Sequence, residues 1–374
     1  MAMRVVVSGG GTGGHIYPAL AVSEGLQRLE SEMELLYIGA KTGMETTLVP
    51  EQGVPFQAVT AKKLQKVFSL STVRVMFSLF QGYREARTYL KAFRAEVVVG
   101  TGGYVAAAAV RAGVSLRLPT VILAPDAVPG RTNLWLARYA NRICVVFPET
   151  VTHFPKEKTL VTGLPLRESI VAPKEITPQI ARQRFSGLTE NKFTVLIIGG
   201  SQGAQAVNRC VVETLPELLE VGMQVLHQTG TKNWEDVKAQ AEAKGVWGRE
   251  GYCPLAFMDA EQMPLALRAA DVIVCRGGIS SLSEAMVNGL PTIVVPLPTA
   301  YADHQTANAK ALVAQGAALL CPQSELTLER LKRDLTALRA DSNQCQQMSH
   351  AARTVGQPDA THKVCQEIVR LIKR

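Results

Sequence analysis

The chain has 374 residues, 47% of them hydrophobic and 19% charged, with a formal net charge of +8. That length exceeds what one hydrophobic core usually serves and that mixture is not the composition of a disordered chain, so two folded domains are expected. The seven cysteines (Cys144, Cys210, Cys253, Cys275, Cys321, Cys345 and Cys365) are odd in number, scattered and free of any Cys-x-x-Cys pair, which argues against a disulfide framework or a zinc site and for a reducing compartment.

Met1-Ala2-Met3-Arg4 runs straight into an apolar strand, so no secretory signal is expected. No uninterrupted apolar run reaches the roughly 18 residues of a spanning helix. The positive balance suits an acidic partner: nucleic acid, nucleotide phosphates or an anionic lipid surface. Short apolar runs then alternate with stretches of helical period, the pattern of βαβ units around parallel sheets. Predicted strands fall at 5–8, 34–38, 97–100, 120–123 and 142–146, then at 194–199, 224–228, 272–275 and 292–295. Between the two groups, Gly163-Leu164-Pro165-Leu166-Arg167 and the polar, proline-bearing stretch 172–178 read as hinge and linker. Each group opens with a strand that feeds a glycine loop and a helix, VVVSGGGTGGH in the first and TVLIIGGSQGA in the second. The expected fold class is α/β, two Rossmann-like domains with parallel sheets facing one cleft.

The first loop spaces Gly9, Gly11 and Gly14 as Gly-x-Gly-x-x-Gly, which suits a dinucleotide pyrophosphate on a helix N-terminus. A dinucleotide site also wants an acid at the end of the second strand, and Ile38 is followed by Gly39-Ala40-Lys41. What the glycines still explain is close approach of backbone to a ligand, with the N–H groups from Thr12 to His15 directed at it. The second loop, Gly199-Gly200-Ser201-Gln202-Gly203, also fits the nucleophile elbow of an α/β-hydrolase, with Asp271 and His304 following in the required order. A hydrolase, however, has no use for a second glycine loop with a histidine, nor for the third loop, CRGGISSLSEAMVNGLPTIVVPLP. There a strand ends in Gly277-Gly278 and a helix is expected to begin at Ser280 or Ser281. Its first-turn amides, dipole and serine hydroxyls suit a diphosphate, and Glu284 suits the two ribose hydroxyls. The plainer alternative makes Ser280 an N-cap and Glu284 a favourable first-turn acid.

The blocks GGGTGGHIYPALA, GTGGYVAAAAV, GRTNLWLA, VTGLPLR, IIGGSQGAQAVN, CRGGISSLSEA and ADHQTANAKAL follow one another in register, and over nearly its whole length the sequence resembles the MurG-type N-acetylglucosaminyltransferases of peptidoglycan synthesis. The resemblance implies a GT-B architecture with an acceptor- and membrane-facing domain over 1–165, a UDP-sugar domain over 166–349, and a helix at about 350–374 packing back on the first. It implies inverting transfer of GlcNAc from UDP-GlcNAc to the 4-hydroxyl of MurNAc in lipid I (undecaprenyl-pyrophosphoryl-MurNAc-pentapeptide), giving lipid II, without metal or cofactor. Carried over by motif, the donor contacts fall on Thr12, Gly13, Gly14, Arg167, Ser201, Met258, Ile279, Ser280, Ser281, Leu282, Ser283, Glu284 and Gln305. In that picture the main chain of Met258 serves the uracil, Glu284 the ribose, and Ser201 with the Ser280 region the diphosphate, while Gln305 and Asn308 lie near the sugar and ribose. His15 becomes the candidate base for the attacking hydroxyl, a task that neutral imidazole suits. Tyr104 in GTGGYV is assigned to the acceptor.

One block departs from the family pattern: where His-Glu-Gln-Asn is usual, this chain has Leu123-Ala124-Pro125-Asp126. The flanking VPGRTNLWLA still fits. An altered acceptor, a weakened activity, and a catalytic role for Asp126 beside His15 all stay open. Residues 62–94 are rich in Lys and Arg around Phe68, Phe77 and Phe80, a mixture that suits docking on an anionic lipid surface. The plainer alternative is an amphipathic helix packed on the domain. The implied location is cytoplasmic, peripheral on the inner face of the bacterial membrane, with other cell-wall synthesis proteins as partners. Nucleic acid is not expected, since no DNA- or RNA-binding motif accompanies the charge. The competing readings are a UDP-sugar transferase with another lipid acceptor and an impaired homologue acting as a UDP-sugar-binding scaffold; a UDP-GlcNAc 2-epimerase shares the double plan but would need acids flanking the sugar, which these motifs do not offer.

Overall fold

The computed structural model describes residues 3–61, 70–171, 176–200 and 203–373, with backbone alone for 70–76. The chain divides into two compact units, Met1–Arg167 with Pro358–Arg374, and Glu168–Gln357. The break follows the Gly163 to Arg167 stretch; part of the predicted linker, residues 172–175, lies outside the described residues.

The first unit is a parallel sheet of β1 (Arg4–Gly9), β2 (Glu34–Ala40), β3 (Phe56–Val59), β4 (Val97–Gly102), β5 (Thr120–Ala124), β6 (Arg142–Val145) and β7 (Thr159–Val161), in the order β3-β2-β1-β4-β5-β6-β7. Its central strands are valine runs because both faces are covered. Val5 and Val7 join one core layer with Ile16, Val22 and Leu26 of the helix Gly13–Leu29 and with Val364 and Ile368 of the helix Ala360–Ile372. Val6 points the other way, to Val98, Val105 and Ala109. The second unit repeats the plan with β8 (Phe193–Ile198), β9 (Met223–Gln228), β10 (Tyr252–Leu255), β11 (Val272–Cys275), β12 (Thr292–Val294) and β13 (Ala318–Leu320), ordered β10-β9-β8-β11-β12-β13 and parallel throughout.

In each sheet the strand order reverses between the first strand and the fourth, β1 beside β4 and β8 beside β11. The crevice beyond the carboxyl ends at such a reversal is where open α/β sheets take ligands. All three glycine loops, and the GTGG turn after β4, leave from those four strands.

Four strands were not predicted: β3, β7, β10 and β13. They are the four sheet edges. An edge strand pairs on one side only, so three or four residues of mixed character suffice, and β10 tolerates Pro254 there. The helix Ser342–Val355 stays in the second unit, packed on the helix Ile279–Val287, so the return to the first unit begins later than residue 350. Only Ala360–Ile372 packs on Gly13–Leu29, and Gly25 permits the approach: a Cβ there would lie 3.0 Å from Cys365 Sγ.

Candidate functional site

The chemistry-bearing residues form two sets, one in each unit. In the first, β1 ends at Gly9 and Thr12 takes an extended backbone (φ −151°, ψ 156°) at the start of Gly13–Leu29. The Thr12 carbonyl accepts from the N–H groups of His15 (3.1 Å) and Ile16 (3.2 Å). The His15 amide is therefore consumed inside the helix, contrary to the expectation that all amides from Thr12 to His15 face a ligand. Gly13 and Gly14 keep first-turn amides that have no intrahelical partner by geometry.

The His15 ring is fixed from behind. Its Nδ1 lies 3.2 Å from the Thr101 carbonyl, and the Thr101 hydroxyl donates to the His15 carbonyl at 2.6 Å. A carbonyl only accepts, so this pairing assigns the proton to Nδ1 and the lone pair to Nε2, the tautomer a general base needs. Gly102 makes room for the ring: a Cβ there would lie 2.5 Å from His15 Cε1. Tyr104 follows one residue after Gly103, and its ring lies along Gly11, whose Cβ would be 3.3 Å from Tyr104 Cε1. Burial, helped by the charge of Glu45, raises the Tyr104 phenol above its ordinary range, so it stays what a tyrosine already is near neutral pH, a neutral hydrogen-bonding group. Arg167 joins the same set, its guanidinium carbon 5.4 Å from the centre of the Tyr17 ring, and Tyr17 lies against Gly13. The stretch that departs from the family pattern is core: Leu123 and Ala124 are buried on β5, Pro125 is buried, and Asn133 Nδ2 donates to the Leu123 carbonyl (3.1 Å). Asp126 stands half-buried beyond the strand end.

In the second unit, β8 leads through Gly199 and Gly200 to the helix Gln205–Glu220, while Ser201 lies outside the described residues. Gln228, buried at the end of β9, donates from Nε2 to the Gly200 carbonyl (3.5 Å) and accepts at Oε1 from the Met258 N–H (3.1 Å). Of the Met258 main-chain groups assigned to the uracil, the N–H thus serves the fold. Behind Gln228 runs a fully buried polar chain. Asn208 Nδ2 donates to the Thr229 carbonyl (2.8 Å), leaving Oδ1 to accept from His227 Nε2 (3.1 Å) and His227 Nδ1 to accept from the Tyr252 hydroxyl (3.2 Å). Burial lowers the His227 pKa to about 3, so the ring is neutral.

β11 runs into Arg276-Gly277-Gly278, and the helix begins at Ile279 with Gly278 as N-cap, one residue earlier than expected. Ser280 therefore sits inside the first turn and is not the cap. The hydroxyls of Ser280 and Ser283 are buried and make no hydrogen bond within the described residues. Such orphaned groups call for an explanation, and a ligand at the helix start supplies one. Ile279 and Leu282, both assigned as contacts, turn their side chains into the core, so any part they take is main-chain. Glu284 is half-buried one turn after Ser280, and its charge adds to burial in pushing the Cys275 thiol up to about 12.

The loop is pinned from both sides. Asn308, fully buried, donates to the Gly277 carbonyl (3.1 Å), and a Cβ on Gly277 would lie 2.9 Å from the Gln305 carbonyl carbon. Gln305 Oε1 accepts from the Leu297 N–H (2.9 Å), while Arg276 donates to the carbonyls of Val295 (3.1 Å) and Pro296 (3.2 Å) and to Gln323 Oε1 (2.8 Å). Asn308 thus shapes the site through Gly277 and its own side chain is within the protein.

The hydrolase reading fails on geometry. Asp271 Oδ2 accepts from Arg182 and from the Thr194 N–H, both at 2.7 Å. That places it at the start of β8, roughly 16 Å of strand from Gly199. His304 Nδ1 pairs instead with the Tyr301 carbonyl (2.7 Å). Sequence reasoning also missed Gln228, Asn208, Arg276 and Glu45. Asn208 and Arg276 stand within quoted blocks, whereas nothing local marks Gln228 or Glu45.

Residues 5–145 match the glycosyltransferase family 28 N-terminal domain and residues 194–364 the glycosyltransferase family 28 C-terminal domain. The chain is 38% identical over 362 residues to the UDP-N-acetylglucosamine–N-acetylmuramyl-(pentapeptide) pyrophosphoryl-undecaprenol N-acetylglucosamine transferase of Bacillus pumilus, covering 97% of each chain. It is 39% identical over 368 residues to the enzyme of the same name from Desulfitobacterium hafniense, again covering 97% of each. Among solved structures it is similar to Acinetobacter baumannii MurG, with a TM-score of 0.77, 33% identity, and coverage of 98% of this chain and 99% of that one.

Proposed function

This chain belongs to glycosyltransferase family 28, and from that premise we infer that it is an N-acetylglucosaminyltransferase of GT-B architecture, moving GlcNAc from UDP-GlcNAc to the MurNAc of lipid I to give lipid II. The observation that supports the chemistry is the contact of His15 Nδ1 with the Thr101 carbonyl, which puts the proton on Nδ1 and the basic lone pair on Nε2. The 4-hydroxyl oxygen of MurNAc attacks C1 of GlcNAc from the side opposite the diphosphate. Its proton passes to Nε2 as the C1–oxygen bond to UDP breaks, and the imidazolium is stabilised by the Thr101 carbonyl on Nδ1. Charge that develops on the leaving diphosphate is met by the first-turn amides and the Ser280 and Ser283 hydroxyls of Ile279–Val287, with Ser201 and Arg167 adding to them. Glu284 takes the ribose hydroxyls. Tyr104 and Asp126 serve the acceptor, and the loss of the neighbouring polar side chains at Leu123 to Pro125 puts more of that task on these two.

The helix Leu70–Phe93 carries the membrane-docking candidates, and Phe77 and Phe80 are 69% and 56% exposed. Large apolar side chains left in water beside basic ones support docking on an anionic inner-membrane surface; Phe68 lies outside the described residues. No helix among the described residues is long and apolar enough to cross a membrane. The test of the mechanism is His15→Ala: turnover should fall on the order of 10²-fold to 10⁴-fold, the range for loss of a general base, while UDP-GlcNAc affinity stays near wild type. Turnover within a few-fold of wild type removes His15 from the chemistry.

A further inference from the structure

Glu45, the first residue of the short helix Glu45–Glu51, is completely buried, and the mechanism above does not use it. Burying a carboxylate is costly unless its oxygens are satisfied. Among the described residues no cation pairs with Glu45. Its two oxygens instead take main-chain donors from two segments: Oε2 accepts from the Gly11 N–H at 3.4 Å and Oε1 from the Ala40 N–H at 3.3 Å.

The slot it fills is made of missing side chains. A Cβ on Gly10 would lie 2.9 Å from the carboxyl carbon, one on Gly39 3.0 Å from Cγ, and one on Gly43 2.5 Å from Oε2. Three glycines, one from the first loop and two from the stretch running from β2 to Glu45, thus converge on one carboxylate beside the Gly10–Gly11 peptide. That loop carries the Tyr104 ring on its other neighbour, Gly11, and leads within four residues to His15. Tyr37 closes the same pocket, its hydroxyl donating to the Gly9 carbonyl at 2.8 Å. Burial first, and then the charge of Glu45, raises both phenols.

We propose that Glu45 is a positioning residue for the acceptor half of the transfer: by holding the Gly11 N–H it fixes the orientation of the Gly10–Gly11 peptide, and through it the placement of Tyr104 and His15. The assignment of this half to the acceptor rests on the function proposed above. An apolar residue would fill the volume without the cost of a buried charge, but it would leave two amides unsatisfied. Glutamine fails for a related reason, since two N–H donors converge on two separate oxygens and its amide offers only one.

The experiment compares wild type, Glu45→Gln and Glu45→Asp for kcat and acceptor KM with a soluble lipid I analogue, for UDP-GlcNAc affinity by calorimetry, and for tyrosinate formation by ultraviolet difference titration with Tyr104→Phe as the assignment control. Glu45→Gln should lower kcat/KM for the acceptor by about tenfold or more, as expected for a displaced reacting group, while UDP-GlcNAc affinity stays within about twofold. The Tyr104 phenol should titrate lower in Glu45→Gln. Glu45→Asp, which keeps the charge and loses reach, should lose transfer while keeping most of the raised phenol. Unchanged acceptor kinetics in Glu45→Gln overturn the proposal, and so does a loss of UDP-GlcNAc affinity in parallel with transfer, which marks general damage. A wild-type protein with no acceptor-dependent transfer contradicts the proposed function instead, and the phenol titration then still reads whether Glu45 acts on Tyr104.

Discussion

Gly102→Ala is the substitution whose effect follows most directly from the geometry. The residue sits at φ 121°, where an L side chain is strained, and an added Cβ would lie 2.5 Å from His15 Cε1 and 3.1 Å from Cγ, against ordinary contacts of 3.4 Å or more. The ring must therefore retreat by about 1 Å, and a displacement of that size at a reacting group costs on the order of 10²-fold in rate, or about 2.7 kcal/mol of barrier. Backbone strain adds a separate loss of stability of about 1–3 kcal/mol, visible in the melting temperature. A double-mutant cycle with His15→Ala separates the two. With the ring removed the clash is gone, so Gly102→Ala should cost less than about threefold in kcat/KM on that background, while the drop in Tm persists, giving a coupling of about 2 kcal/mol. An equal hundredfold loss in both backgrounds would show that Gly102 does not act through His15 and would refute the argument.

Three further outcomes are expected. His227 has its pKa lowered by burial from 6.5 to about 3, so between those values the unfolded chain binds a proton that the folded chain refuses, and stability rises with pH through the window and is lost as pH falls. Urea unfolding at pH 7 and pH 4.5 should show wild type losing on the order of 3 kcal/mol more than His227→Gln; a difference under about 1 kcal/mol contradicts the buried neutral ring. Asn308→Ala leaves the Gly277 carbonyl without its 3.1 Å donor and should cost about 1–3 kcal/mol of stability together with a raised Kd for UDP-GlcNAc. An unchanged Kd would separate Asn308 from the donor loop. Phe77→Asp with Phe80→Asp should weaken sedimentation with anionic vesicles and slow transfer to membrane-bound acceptor, yet leave transfer to a soluble analogue unchanged; equal vesicle binding sinks the docking face.

Much of the fold was legible because its central strands announce themselves. Val5 to Val7 and Val97 to Val99 are apolar on both faces and end in glycine, a pattern that only a covered parallel strand followed by a ligand loop explains well. The edge strands offered no such contrast, since their burial is one-sided and their length three or four residues. Within the site, helical period was the signal that went unused: once Ile279 starts the helix, the apolar side chains of Ile279, Leu282, Ala285 and Met286 are buried in the core, which separates Leu282 from Glu284 in a run that motif matching treats as a block. Glu45 was illegible for a different reason. The search for an acid at the end of β2 stopped at Lys41, and the slot that gives Glu45 its meaning is assembled from Gly10, Gly39 and Gly43 only when the chain folds.

The most direct test of the central claim is UDP release from UDP-GlcNAc in the presence and absence of a short-chain lipid I analogue, with the product weighed by mass spectrometry and UDP-glucose and UDP-GalNAc as controls. Release that depends on the acceptor, with a product heavier by one N-acetylhexosamine and little activity with the control donors, is the predicted result. UDP-GlcNAc bound tightly with no transfer to this acceptor would contradict the account, and would point to the apolar Leu123-Ala124-Pro125 stretch as the place where acceptor recognition was lost.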